Sequence, residues 1–348
     1  MARPRWKKLA IAALKSAVAL VVLWAVGRHV VRTWYDLRDR SISLHFEPGW
    51  LIGSGLLYLA GLSAFGRFYE RILNASSTPV PLVPALRAYL VSHLGKYVPG
   101  KAMVVVIRTG MVVPFGARAS TAAIATFYET LMMMAAGGLI AAIGFAPAVG
   151  SHPLEINLPV WGRVEFPVYR LAALSGLGTG LAFLVLVLPP VFARLAGLVS
   201  LPIPGVGPEA MPRLTGRLLV LGLFWSSAGW VLLGLSQLAV VRAFDPEGAQ
   251  TLVALGLAPV VIASVALATV AGFLVAVLPG GLGVREGVLM SALAPALGSD
   301  QSVVAALTLR LVWVVAELVA AAVLVPWSRR PPAEVIPPLD SAAGSGSP

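Results

Sequence analysis

The 348-residue chain contains no cysteine. That absence excludes disulfides, thiolate nucleophiles and cysteine-ligated metal sites, and it leaves the redox compartment open. Charge is scarce as well. Only 12% of residues are Asp, Glu, Lys or Arg and 58% are hydrophobic, against roughly 25% charged in an ordinary soluble domain. That balance excludes a water-soluble globule. Histidine is thin and scattered, at His29, His45, His93 and His152. There is no His-Glu-x-x-His, no Gly-x-Ser-x-Gly and no Walker loop, so no metal, cofactor or catalytic set is expected. An intramembrane acid and base would have to come from Glu129, Glu286 and His93. Acids are fewer than bases, and the net charge is +11. In a membrane protein such an excess follows topology and anionic headgroups, and nucleic acid is not an expected partner.

What is present is apolar length. Crossing a hydrocarbon core of about 30 Å takes about 20 residues, and runs of that kind recur along the chain. The fold class is therefore all-α: a polytopic helix bundle of about seven to eight spans. Spans are placed at about Leu9 to Val31, Pro48 to Leu73, Ala119 to Pro147, Leu171 to Pro190, Leu218 to Phe244, Gly256 to Leu278 and Val303 to Trp327. The basic start (Arg3, Arg5, Lys7, Lys8) looks like a signal peptide, but Lys15 interrupts the apolar stretch and no small-residue cleavage site follows. It reads as a retained first span of a multi-pass cell-membrane protein. Basic residues at the amino terminus, around Arg67 to Arg118 and at Arg194, Arg213 and Arg217 place these parts in the cytoplasm, with Ser151 to Val168 outside. Seven crossings would leave the carboxyl terminus outside, whereas Arg329 and Arg330 argue for inside. The charge-free run from Gly248 to Val284 offers a way out. As one helix it would be about 55 Å long, too long for one perpendicular crossing, so it is expected to hold an additional, broken one. The membrane domain is assigned to residues 1–330. The Pro, Ala, Gly and Ser-rich tail, 331–348, has too little apolar content to bury a core and reads as disordered. Gly176, Gly178 and Gly180 look like a nucleotide loop but lie within an apolar span, where close helix packing through Gly176 and Gly180 is the better reading.

Two segments break the pattern of simple spans. One is His93-Leu94-Gly95-Lys96-Tyr97-Val98-Pro99-Gly100-Lys101; the other is Leu278-Pro279-Gly280-Gly281-Leu282-Gly283-Val284-Arg285-Glu286-Gly287. Proline removes a backbone donor and glycine costs about 1 kcal/mol in a helix interior, so each should interrupt its helix. Each reads as the bend of a re-entrant hairpin, where oriented amides with Lys96, Lys101 and Arg285 would suit a phosphate. The plainer alternative is a pair of interfacial loops whose lysines face anionic lipid. The displacement that carries Pro99 onto Pro279 also carries Gly100 onto Gly280 and sets the span of Glu129 against that of Arg310, which hints at an internal repeat. Glu129, Arg310 and Glu317 lie far from any span end, at about 2.5 to 3.5 kcal/mol each on insertion scales. They should be paired or line a cavity. Arg310 and Glu317, two turns apart, share a helix face, and an ion pair fixing helix register is the bland reading of them.

These residues carry a resemblance. Gly95 to Lys101, Glu129, Pro279 to Glu286 and Arg310 resemble the lysylphosphatidylglycerol synthase transmembrane-region family, also described as flippase-like membrane proteins. The likeness runs from about Lys15 to Trp327. It implies a unit that moves lipids between leaflets, with Lys96, Lys101, Arg108, Glu129, Arg285, Glu286 and Arg310 as candidate headgroup or gating residues, to which the helix breaks and buried charges add Pro99, Gly100, Pro279, Gly280, Gly281, Gly283 and Glu317. The soluble domain that attaches lysine to phosphatidylglycerol in aminoacylating members is expected to be missing, so aminoacyl transfer is not implied. The expected partners are membrane lipids with anionic or phosphate-bearing headgroups. A membrane-embedded transferase acting on a lipid-linked donor and a non-catalytic scaffold are the alternatives.

Overall fold

The computed structural model of the protein describes residues 46–76, 79–97, 102–150, 154–158, 162–200, 211–275 and 283–326. The expected first span, the carboxyl-terminal tail with Arg329 and Arg330, and Pro99, Gly100, Lys101, Pro279, Gly280 and Gly281 lie outside them. Eleven α-helices are found among the described residues: α1 Pro48–Asn74, α2 Leu82–Ser92, α3 Ala102–Val112, α4 Ala119–Phe145, α5 Val168–Val187, α6 Pro189–Ser200, α7 Gly216–Phe244, α8 Pro246–Ala254, α9 Ala258–Leu274, α10 Val284–Leu297 and α11 Ser299–Leu324. A two-stranded antiparallel hairpin, β1 Leu154–Leu158 and β2 Gly162–Phe166, joins α4 to α5.

Helix boundaries follow local chemistry. Pro48 opens α1, where its missing N–H costs nothing. Thr215 caps α7 by accepting the Leu218 N–H at 3.2 Å. Asp245 ends α7 and starts α8, its carboxylate accepting the Gly248 N–H at 2.8 Å with Pro246 in the first turn. Gly256, at φ +69°, then lets the chain turn between α8 and α9, whose axes differ by 104°.

Among the described residues, five helices are long and apolar enough to cross a membrane: α1, α4 (extended to Ala148), α5, α7 and α11. The bent pair α8 and α9 would make a sixth. Their outward sides carry bare apolar side chains, among them Ile52, Leu56, Phe127, Ile143, Leu174, Leu181, Phe224 and Val319. In water such a belt would be an aggregation surface; against acyl chains it is solvent-matched.

The bundle is built around two close helix pairs. Antiparallel α1 and α7 are tied at both ends, by Glu47 N–H to Ala243 O at 2.8 Å and Arg213 N–H to Ala75 O at 3.0 Å. Midway, Gly229 receives the Phe65 ring and Gly222 the Phe68 ring. In the other pair the backbones of α4 and α5 touch: a Cβ on Gly138 would stand 2.5 Å from the Gly180 Cα, and one on Gly176 would stand 2.9 Å from the Gly138 O. Gly176 and Gly180 therefore serve packing, as the sequence indicated.

Between the long helices stand two hairpins of short ones. Arms α2 and α3, 11 residues each, are about 16 Å long, and α9 and α10, at 17 and 14 residues, about 25 and 21 Å, all short of a 30 Å crossing. Hairpin 1 is tight at its tip: a Cβ on Gly95 would come within 2.7 Å of the Val104 N. Helix α11 ends beside α2, with Arg87 donating to the Val325 O at 3.5 Å. That is the face of the molecule where α1 ends and α7 begins. Among the described residues, α1 and α11 therefore end on the same face.

The hinted repeat is present as architecture. A long helix, a short hairpin and a second long helix occur as α1, α2/α3, α4 and again as α7, α9/α10, α11. Since α1 and α7 are antiparallel, the two units are inverted with respect to one another, the arrangement in which transporters place a site at mid-depth between broken helices.

Candidate functional site

Residues flanking the two hairpin turns, Lys96 of the first and Arg285 of the second, approach each other in the middle of the bundle. Past Ser92, α2 tightens into a 3-10 turn, His93–Tyr97, which carries Lys96 to α11. There the Lys96 ammonium bonds the Glu317 carboxylate at 2.5 Å and donates to the Tyr58 hydroxyl at 3.3 Å. The Tyr58 hydroxyl donates to the same carboxylate oxygen of Glu317. The Lys96 charge also lies 5.1 Å from the Tyr97 ring centre. Glu317 is fully buried, and its Oε2 finds no hydrogen-bond partner among the described residues.

Hairpin 1 is fastened a second time by α3. Arg108, 2% exposed, pairs with Glu129 of α4, 1% exposed, at 3.0 Å, and donates from Nε to the Ser92 hydroxyl at 3.0 Å. Its guanidinium lies 4.0 Å from the Tyr89 ring centre, while the Tyr89 hydroxyl donates to the other Glu129 oxygen at 2.9 Å. Every charge here is neutralised and its hydrogen-bonding capacity largely used. A buried pair in lipid requires this.

Hairpin 2 is held differently. Glu286 of α10 accepts the Gly283 N–H at 2.7 Å and forms an ion pair with Arg310 of α11. Gly283, at φ +81°, occupies the left-handed turn that starts α10. Both members of the pair are partly exposed, at 12% and 11%. Arg285 lies flat over Trp313, 4.3 Å from the ring centre, and has no carboxylate partner among the described residues. Trp313 in turn stacks on Tyr58 at 4.2 Å and donates from its indole N–H to the Ser236 hydroxyl at 2.9 Å. A continuous stack, Arg285 on Trp313 on Tyr58, therefore links the tip of hairpin 2 to the anchor of hairpin 1.

Between the tips is a cavity of about 210 Å³ walled by α1, α4, α7 and α9, with Tyr58, Tyr89, His93, Lys96, Arg108, Glu129, Arg285 and Trp313 among its lining. Of the expected site residues that are described, Lys96, Arg108, Glu129 and Arg285 meet at this cavity. Gly283, Glu286, Arg310 and Glu317 stand directly behind them. Arg310 and Glu317 do face the bundle interior from one side of α11, but they are not each other's partners: each holds a different hairpin.

Sequence reasoning passed over Tyr58, Tyr89, Ser92, Ser236 and Trp313. The signal was available for two of them. Tyrosine and tryptophan favour the membrane interfaces, so Tyr58 and Trp313 in the middle of apolar spans were out of place and marked a polar interior.

A search of curated proteins finds no match to the chain. The profile of the family described as Lysylphosphatidylglycerol synthase TM region matches residues 8–321, nearly the whole chain, so the protein is a multi-pass membrane protein that belongs to the lysylphosphatidylglycerol synthase transmembrane-region family.

Proposed function

We propose that the protein moves a lipid with an anionic, phosphate-bearing headgroup between the leaflets of the cell membrane, sheltering the headgroup in the cavity between the hairpin tips while the acyl chains stay in the bilayer. The face with Arg71, Arg213 and Arg217 is the cytoplasmic one, as the bias of basic residues indicates, and the amino terminus lies on that side. The observation that carries this reading is Arg285. Lys96 and Arg108 are neutralised by Glu317 and Glu129, whereas Arg285 meets the cavity with only an aromatic face beneath it. A guanidinium at that depth costs least when an incoming phosphate supplies the missing charge in bidentate geometry. The cavity matches the role: it is polar at one wall, aromatic at another, and bounded by helices whose outer surfaces are apolar. Hairpin 2, held by one partly exposed ion pair, is the gate; hairpin 1, held by the sealed Arg108–Glu129 pair and a second pair from Lys96 to the buried Glu317, is the wall it closes against.

The test is reconstitution of the purified chain in liposomes carrying a leaflet-resolved fluorescent phospholipid. Wild-type protein should equilibrate the probe between leaflets, and Arg285→Ala should abolish equilibration while eluting from a sizing column as wild type does. Unchanged equilibration by Arg285→Ala, or a covalently new lipid in the vesicles, would overturn the proposal, the latter in favour of a transferase.

A further inference from the structure

His93 lines the central cavity, and holding a headgroup on Arg285 gives it nothing to do. Its ring stacks beside Tyr89, 6.2 Å between centres, and stands edge-on to Tyr58 at 6.5 Å. Each of these tyrosines donates its hydroxyl to a buried carboxylate, Tyr89 to Glu129 at 2.9 Å and Tyr58 to Glu317. His93 therefore stands between the two fastenings of hairpin 1, on the space where the headgroup would lie. Ring contacts hold it, and its imidazole makes no hydrogen bond among the described residues. Phenylalanine would pack as well; an imidazole on a polar cavity adds a base.

The charged and titratable groups around it are Tyr58 on α1, Tyr89 on α2, Lys96 and Tyr97 on its own turn, Arg108 on α3, Glu129 on α4, Arg285 on α10 and Glu317 on α11. Both carboxylates are committed, Glu129 to Arg108 and Tyr89, Glu317 to Lys96 and Tyr58. Three cations, Lys96, Arg108 and Arg285, share the cavity wall with the imidazole. A phosphate entering among them brings negative charge, which favours a proton on a neighbouring base. Imidazole is the side chain whose proton affinity lies nearest neutrality. The Arg285 fork can take two phosphate oxygens, and a protonated ring donates to the remaining ones from either nitrogen. A polar cavity of about 210 Å³ has room for the water that delivers the proton.

We infer that His93 takes up one proton with each headgroup, so that the lipid crosses as a neutral lipid–proton pair and a proton gradient drives its transport. The proton passes from water to a ring nitrogen on loading and returns to water on the other side with release of the lipid; no covalent bond of the lipid changes. This inference rests on the transport reading and adds an energy source to it. A phosphodiester lipid crossing alone carries one negative charge, and the membrane potential would distribute it by about fiftyfold per 100 mV. Crossing with a proton, it ignores the potential and follows the pH difference, by about tenfold per pH unit.

The experiment uses the full chain in liposomes carrying a trace of fluorescent phosphatidylmethanol, a phosphodiester lipid that does not titrate near neutrality. One arm imposes a pH gradient with the potential clamped at zero by potassium and valinomycin. The other imposes a potassium diffusion potential at equal pH. Wild type should shift the probe toward the leaflet on the alkaline side in the first arm, by about tenfold per pH unit, and leave it evenly spread in the second. His93→Gln should abolish the response to pH. If wild type moves the probe according to the potential and not the pH gradient, the inference falls while the transport reading stands; if wild type does not move the probe at all, both fall. A His93→Gln variant that follows the pH gradient as wild type does also overturns it. Where His93→Gln fails to fold or to move the probe, calorimetry of dihexanoylphosphatidylmethanol binding in two buffers of different ionisation enthalpy decides the matter, with His93→Asn as the variant. Wild type should take up about one proton per lipid bound and His93→Asn none. No uptake by wild type, or equal uptake by the two, overturns the inference.

Discussion

Hairpin 1 and hairpin 2 are the same device used in two ways. In each, the second arm carries a charge that pairs with the long helix that follows: Arg108 with Glu129 in the first, Glu286 with Arg310 in the second. The signs are exchanged and so is the degree of burial. The first pair is sealed, braced by Tyr89 and Ser92, and backed by a second fastening from Lys96 to Glu317. The second pair is partly open, and its neighbour Arg285 rests on an aromatic ring instead of a carboxylate. What a re-entrant hairpin does is thus set less by its backbone than by how completely its charges are satisfied.

The comparison can be broken most forcefully on the first side. Glu129→Ala strands Arg108 in a dry interior and should cost about 3 to 5 kcal/mol, seen as a large fall in Tm in detergent and in monodisperse yield. The same removal on the second side, Arg310→Ala, should cost less, about 1 to 3 kcal/mol, because the pair is partly exposed. The protein should fold but fail to equilibrate lipid. Charge exchange sharpens the point. Arg310→Glu combined with Glu286→Arg should recover part of the stability lost by either alone, whereas Arg310→Glu combined with Glu317→Arg should recover none, since Glu317 answers to Lys96. Thermal melts of the singles and doubles decide it. Next in size, Tyr58→Phe removes one hydrogen bond to Glu317 and should lower stability by about 1 kcal/mol. Smallest in stability is Arg285→Lys, which keeps the charge but loses the flat stacking on Trp313, about 0.5 to 1 kcal/mol. Its translocation should be slowed and not abolished. Equal Tm losses for Glu129→Ala and Arg310→Ala would erase the distinction between the hairpins.

The long helices were legible because lipid imposes a length. The expected spans at Pro48 to Leu73, Ala119 to Pro147, Leu171 to Pro190 and Leu218 to Phe244 differ from the observed helices by a few residues. The breaks were legible because proline and glycine announce them. The displacement carrying Pro99 onto Pro279 and Gly100 onto Gly280 falls outside the described residues, and what they show of the two halves is the shared order of helices. The pairing of charges was not legible. Spacing within one helix suggested Arg310 with Glu317, but partners were chosen by the fold: Lys96 reaches α11 from the tip of a hairpin, and Arg108 meets Glu129 across the turn from α3 to α4. Helical periodicity reports which side of a helix a residue occupies and says nothing of what packs there. Nor could composition show that the apolar run from Gly256 divides into a helix that ends at Leu274 and another that starts at Val284.

The contact of Gly138 with Gly180 has a mechanical consequence. With two backbones touching, α4 and α5 have no deformable layer of side chains between them, so they take load as a single stiff beam. Glu129, the anchor of hairpin 1, is mounted on that beam. Work done at one end of the molecule is then transmitted along α4 with little lost to compliance, and a single added methyl group at Gly138 would loosen that frame without touching any charged residue.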